Sequence, residues 1–144
     1  MSDWFAGFER RQVAVEGGSV CLRTGGDARK PALMLVHGFP QSHVMWHRVA
    51  RLLQQQFYLV LPDLRGYGDS LMPPGLPDHS NYSKRQMAQD LIAVADALGL
   101  PSFNLCGHDR GGRVAHRLAL DHPARVRRLC LIDIALTFDM YART

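Results

Sequence analysis

Phe103-Asn104-Leu105-Cys106-Gly107-His108-Asp109-Arg110-Gly111-Gly112-Arg113 (FNLCGHDRGGR) decides how this chain is read. Phe103 to Cys106 is a short apolar run of strand character. Arg110 to Asp121 has helical character and is closed by His122-Pro123. Between the two, an acid is framed as Gly-x-Asp-x-Gly. A sharp strand-to-helix turn strains its central residue and brings backbone against backbone, so the neighbours must lack a Cβ. Such an elbow presents a nucleophile at a strand end. Asp is also a favoured helix N-cap, and a cap alone would account for Asp109 taken by itself.

The flanking sequence favours the elbow. After Pro31, Ala32 to Val36 is a continuous apolar run suited to a strand buried on both faces, and it ends in His37-Gly38-Phe39-Pro40. Phe57 to Leu61 is a second such strand. Pro62 to Ser80 is a long loop rich in Gly, Pro and Asp, with Asp63-Leu64-Arg65-Gly66-Tyr67-Gly68-Asp69-Ser70 at the strand end. Upstream, Gln12 to Glu16 and Ser19 to Thr24 form a hairpin about Gly17-Gly18. A helix is expected from His43 to Gln54, with Val44, Val49, Leu52 and Leu53 on its apolar face. A second opens at Ser83, with Gln86 three residues on, and runs to Leu98 before Gly99 and Pro101 stop it. Val126 to Ile132 is the last strand. The order β-β-β-α-β-α-β-α-β predicts an α/β fold with a mainly parallel sheet in one domain, residues 1–144. Ligands of such sheets bind beyond the C-terminal strand ends, where these three motifs fall.

An aspartate nucleophile narrows the chemistry. A carboxylate attacking a carbonyl gives an anhydride, a poor intermediate. Attack on a saturated carbon bearing a leaving group gives an ester that water can hydrolyse. The backbone N–H groups of Phe39 and Arg110 are placed to receive the oxyanion of that second step. His37 and Gly38 support this loop, His37 shaping it by hydrogen bonds. Arg110 and Arg113, three apart in the first helical turn, oppose the macrodipole, a local rule broken where function is expected. Arg is suited to gripping a carboxylate, so the pair predicts a small anionic substrate; a solvated surface pair is the plainer alternative.

Composition limits the other classes. Hydrophobic residues make up 47%, charged residues 21%, and the formal charge is +4 without a basic run. Arg125, Arg127 and Arg128 form the densest cluster, but no nucleic-acid motif accompanies them. His43 and His47 stand at a metal-ligand spacing without a third ligand, and Gly107 to Gly112 lacks the order a dinucleotide requires, so no metal and no cofactor are expected. Trp46 is expected in the core; Tyr67 fits either core or pocket. The three cysteines, Cys21, Cys106 and Cys130, sit at no redox spacing and suit reduced thiols, two of them within apolar runs. Without an apolar leader in Met1 to Arg11 or a membrane-length apolar stretch, a cytoplasmic protein with no membrane partner is expected.

From about Phe8 to Thr144 the chain resembles the haloacetate (fluoroacetate) dehalogenases of the α/β-hydrolase fold. The likeness runs through HGFPQSHVMWHRVA, PDLRGYGDS, PDHSNYS, GHDRGGRVAHRLALDHP and LIDIALTFDMY. Relatives that cleave neutral haloalkanes or epoxides typically carry Trp directly after the nucleophile, where this chain has Arg110. The resemblance implies Asp109 as nucleophile, Arg110 and Arg113 as clamps on the substrate carboxylate, and Asp133 as the group that orients a catalytic histidine. Leu136 departs from the Pro that relatives often have there.

The resemblance also implies two further strands, a helical cap after the sixth strand and a histidine near the C-terminus. The seven histidines, His37, His43, His47, His79, His108, His116 and His122, include none at that late position. The expectation is therefore an N-terminal part of the core, an incomplete hydrolase that is weakly active or inactive alone and has an exposed sheet edge. Hydrolytic dehalogenation of a short 2-haloacid leads. An epoxide hydrolase with the same nucleophile is the enzyme rival, and a non-catalytic fragment that binds a complementing C-terminal segment is the other. The resemblance is compatible with a homodimer.

Overall fold

Gly17, at φ 88°, closes the first hairpin, in which Glu9–Val15 (β1) pairs antiparallel with Gly18–Gly25 (β2). The structure is a computed structural model describing residues 3–142; Met1, Ser2, Arg143 and Thr144 of the single-domain span lie outside the described residues. β2 also pairs antiparallel with Tyr58–Pro62 (β4). From β4 onward the pairing is parallel, through Ala32–Val36 (β3), Phe103–His108 (β5) and Val126–Ile132 (β6). The six-stranded order is β1-β2-β4-β3-β5-β6, the mainly parallel α/β sheet that the sequence predicts.

Strand alternation sends neighbouring side chains to opposite faces. Met34 and Val36, Val60, Phe103 and Leu105 belong to the core under Lys84–Ala97 (α2) and Arg110–Asp121 (α3), which supply Leu91, Val94, Val114 and Leu118. Leu35, Leu59, Leu61 and Cys106 face the other way and pack with Phe5, Phe8, Trp46 and Ala50. Each fully buried Leu contributes about 1.5–3 kcal/mol. Both faces of the central strands are covered, as their unbroken apolar runs imply.

The first helix differs from its expected form. Ser42 caps a 3-10 turn, His43–Trp46, accepting from the Val44 N–H, and the α-helix proper is His47–Leu53 (α1). Its inward positions are His43, Trp46 and Ala50, while Val49 and Leu52 are exposed. A 3-10 turn advances each residue about 20° further than an α-helix, so four residues rotate the following face by roughly 80°. Trp46 lies in the core, as expected.

At the other edge β6 pairs only with β5 among the described residues, and Leu129 and Ile132 are exposed. Cys21 and Cys106 are buried and Cys130 is exposed, all three as free thiols. Burial, with Cys130 alongside, pushes the Cys106 thiol up to about 12. A short helix, Thr137–Ala142 (α4), follows β6. No described helix is long and apolar enough to cross a membrane.

Candidate active site

Asp109 sits between β5 and α3 at φ 52° and ψ −121°, a region costing a non-glycine residue about 1–3 kcal/mol. Its carbonyl accepts the first helical N–H, from Gly112 at 2.9 Å, but its side chain makes no capping bond. The plain N-cap alternative fails on that point. The carboxylate instead turns to the loop after β3, where Oδ2 accepts the Phe39 N–H at 2.9 Å. The neighbouring Arg110 N–H also acts to stabilise the charged carboxylate. Burial works to raise the Asp109 pKa, but these two donors, with the charges of His108 and Arg110, hold it below the ordinary carboxylate value.

Two glycines permit this approach. A Cβ on Gly38 would stand 2.6 Å from the Asp109 Cβ and 2.8 Å from Oδ2, and one on Gly111 would stand 2.2 Å from the His37 carbonyl oxygen. His37 locks the loop from behind. Its Nε2 accepts the Leu64 N–H at 2.9 Å, which leaves Nδ1–H to donate to the Gly38 carbonyl, also at 2.9 Å. Burial pushes the His37 pKa down, consistent with the neutral ring this tautomer requires.

The loop after β4 is built by its own acids. Asp63 Oδ1 accepts the His43 N–H at 2.7 Å and faces His43 Nδ1 at 2.8 Å, while Oδ2 accepts the Asp69 N–H at 3.1 Å. Arg65 is buried in a two-bond pair with Asp90, both bonds at 2.9 Å, and also donates to the Glu16 carbonyl. So fixed, the loop presents Tyr67 beside the His37 ring at 5.2 Å and the Phe39 ring at 6.5 Å. Tyr67 is thus half-buried in the site wall. His47, the other histidine of the metal-like spacing, stacks on Trp4 and turns Nδ1 to the Val44 carbonyl.

Arg110 is exposed, yet it lies against the site: its guanidinium covers the Phe39 ring at 4.8 Å and reaches the Tyr67 hydroxyl at 3.4 Å. Arg113, half-buried one turn on, lines a narrow crevice with Gly112, His116 and Ile134. Asp133 follows β6 at φ 52°, matching Asp109 on the neighbouring strand, and the Asp109 N–H donates to the Ile132 carbonyl at 3.1 Å. The Asp133 side chain is 90% exposed and 4.0 Å from His108 Nε2. Lys84, which no sequence motif singles out, opens α2 and lines a cavity of about 270 Å³ with Phe39, Tyr67, Tyr82, Met87 and Arg110. Only the docking of α2 beside α3 brings it there; nothing local in NYSKRQ marks it.

Residues 31–143 match the alpha/beta hydrolase fold family, and the chain belongs to it. Over 137 residues it is 51% identical to a fluoroacetate dehalogenase of Burkholderia sp, covering 95% of this chain and 44% of that protein. It is 40% identical over 102 residues to a soluble epoxide hydrolase of Corynebacterium sp. (strain C12), covering 71% of this chain and 34% of that one. A crystal structure from Nostoc sp PCC 7120, assigned to the alpha/beta hydrolases, superposes with a TM-score of 0.93 at 52% identity, covering 97% of this chain and 47% of that chain. The chain spans less than half the length of these relatives.

Proposed function

We propose that this chain carries the nucleophile side of a hydrolytic dehalogenase acting on a short 2-haloacid such as a haloacetate. The observation that carries the reading is the Asp109 carboxylate, held by the Phe39 N–H at a strained turn with Arg110 and Lys84 close by. Oδ1 of Asp109 attacks the halogen-bearing carbon as the carbon–halogen bond breaks, and the bonding pair leaves with the halide. The product is an aspartyl ester whose carbonyl oxygen, the former Oδ2, already accepts the Phe39 N–H. Water then adds to that carbonyl, the oxyanion draws on the Phe39 and Arg110 N–H groups, and collapse releases the 2-hydroxy acid and restores the carboxylate.

The remaining roles follow from this sequence of steps. Arg110 and Arg113 take the substrate carboxylate, offsetting its repulsion by Asp109. Asp133 takes the part of orienting a histidine that accepts the proton of the attacking water, a histidine that none of the seven in this sequence supplies at the position the resemblance implies. An epoxide hydrolase would use the same nucleophile, and similarity to the Corynebacterium enzyme keeps that reading open. A neutral epoxide, however, leaves the cation cluster without a purpose.

Mass spectrometry after incubation with chloroacetate tests the proposal. A single carboxymethyl adduct, absent from Asp109→Asn, is expected. An adduct that persists in Asp109→Asn overturns the nucleophile assignment. Diol formation from styrene oxide without halide release from chloroacetate favours the epoxide reading.

A further inference from the structure

We propose that Lys84 is a third cation of the anion-binding wall and a positioning residue for the acid group of the substrate. The inference rests on the function proposed above and extends it to a residue on a different helix.

Lys84 is half-buried at the first position of α2. It shares its cavity with Arg110, Tyr67 and the exposed ring of Phe39. Arg110 and Arg113 from α3 repel it and Asp109 from the elbow attracts it, while Arg65, which lines the same cavity, is neutralised by its pair with Asp90. Burial and the two arginines together depress its pKa. Among the described residues no hydrogen bond or ion pair is made by its ammonium, whereas neighbouring Arg85 pairs with Asp121 and Arg65 with Asp90.

An ammonium at the start of a helix also opposes the macrodipole, as Arg110 and Arg113 do on α3. Two helices thus bring Lys84 and Arg110 by their unfavourable ends to one cavity, where the remaining cation, Arg65, is already paired with Asp90. A clustered, partly desolvated set of like charges is destabilising unless an anion enters. A small carboxylate supplies the missing charge, its oxygens reaching Arg110 on one side and Lys84 on the other. The compact ammonium adds attraction without the fixed fork of a guanidinium, so it tolerates acids that sit at slightly different depths.

Acetate has no leaving group and isolates binding from chemistry. Acetate and acetamide are titrated by NMR against the full chain, Lys84→Met and Lys84→Arg, with thermal transitions confirming that each variant folds. Acetate affinity is expected to fall about tenfold in Lys84→Met and to stay within about twofold in Lys84→Arg, with acetamide unaffected. Unchanged acetate affinity in Lys84→Met, equal losses for acetamide, or no acetate binding by the unmodified chain overturns the inference. A second measurement needs no variant: in lysine-labelled protein the Lys84 ε resonance shifts on saturation with acetate, and a stationary resonance overturns the assignment. The chloroacetate adduct reads the Asp109 assignment separately, so a chain that binds acetate through Lys84 but forms no adduct retains this inference while losing the dehalogenase reading.

Discussion

Nε2 of His37 accepts the N–H of Leu64 at 2.9 Å, joining the loop that carries Phe39 to the loop that carries Tyr67. Both residues are buried, so no water replaces the bond. His37→Ala leaves the Leu64 N–H without an acceptor and opens a void. A loss of about 2–4 kcal/mol is expected in urea unfolding.

The same histidine gives stability a pH dependence. Its pKa is lowered in the folded chain, so between that value and the ordinary 6.5 the unfolded chain binds the extra proton. Its contribution is complete above 6.5 and is lost as pH falls through this window. Unfolding free energy measured across the window should slope less steeply in His37→Asn than in the unmodified chain.

Asp109, whose pKa is held low, stays ionised throughout the neutral range. The rate of adduct formation with chloroacetate should therefore be level from about pH 5 upward as far as this group governs it, falling only in acid. A rate that climbs between pH 6 and 8 would assign the limiting ionisation to another group.

The φ of 52° at Asp109 makes substitutions there diagnostic of strain. Asp109→Gly relieves it and offsets the lost carboxylate bond, so its stability is expected within about 1 kcal/mol of the parent. Asp109→Val, β-branched at a positive φ, should be less stable than Asp109→Gly by about 2–3 kcal/mol. Denaturant midpoints of the two variants check the ordering.

Arg65 and Asp90 form a buried pair, with Arg65 in the wall of the cavity that Lys84 and Arg110 share. Arg65→Met strands a buried carboxylate and should cost about 3–5 kcal/mol. Adding Asp90→Leu removes the stranded charge and should recover much of the loss. A double-mutant cycle measures the coupling.

Residues whose roles are set within a few positions of sequence were legible. The turn at Asp109 is legible from its flanking glycines only together with the strand before it and the strand-end loop His37-Gly38-Phe39-Pro40, since a helix cap accounts for the motif taken alone. The parallel order followed from the unbroken apolar runs of β3, β4 and β5. Two things were hidden. Ser42 tightens the turn after it, which rotates α1 and places Val49 and Leu52 in solvent; periodicity assumes one helical pitch throughout and cannot see that change. Lys84 reads as an ordinary first-turn residue because the arginines beside it come from another helix. Chain order brings α2 and α3 together, but only packing decides which of their side chains share a cavity. Asp133 is a candidate by likeness alone, since its exposed carboxylate has no local pattern.

The concentration of positive charge at the mouth of the Asp109 site also governs the conditions under which binding can be measured. On the function proposed above, small buffer anions, phosphate above all, should compete with a haloacid for the same guanidinium and ammonium groups. Raising ionic strength shortens the reach of that attraction to a few ångströms and slows capture of a charged ligand, while a neutral ligand is indifferent to it. Apparent affinity is therefore a property of the protein and its electrolyte together, and values obtained in different salts are comparable only after extrapolation to a common one.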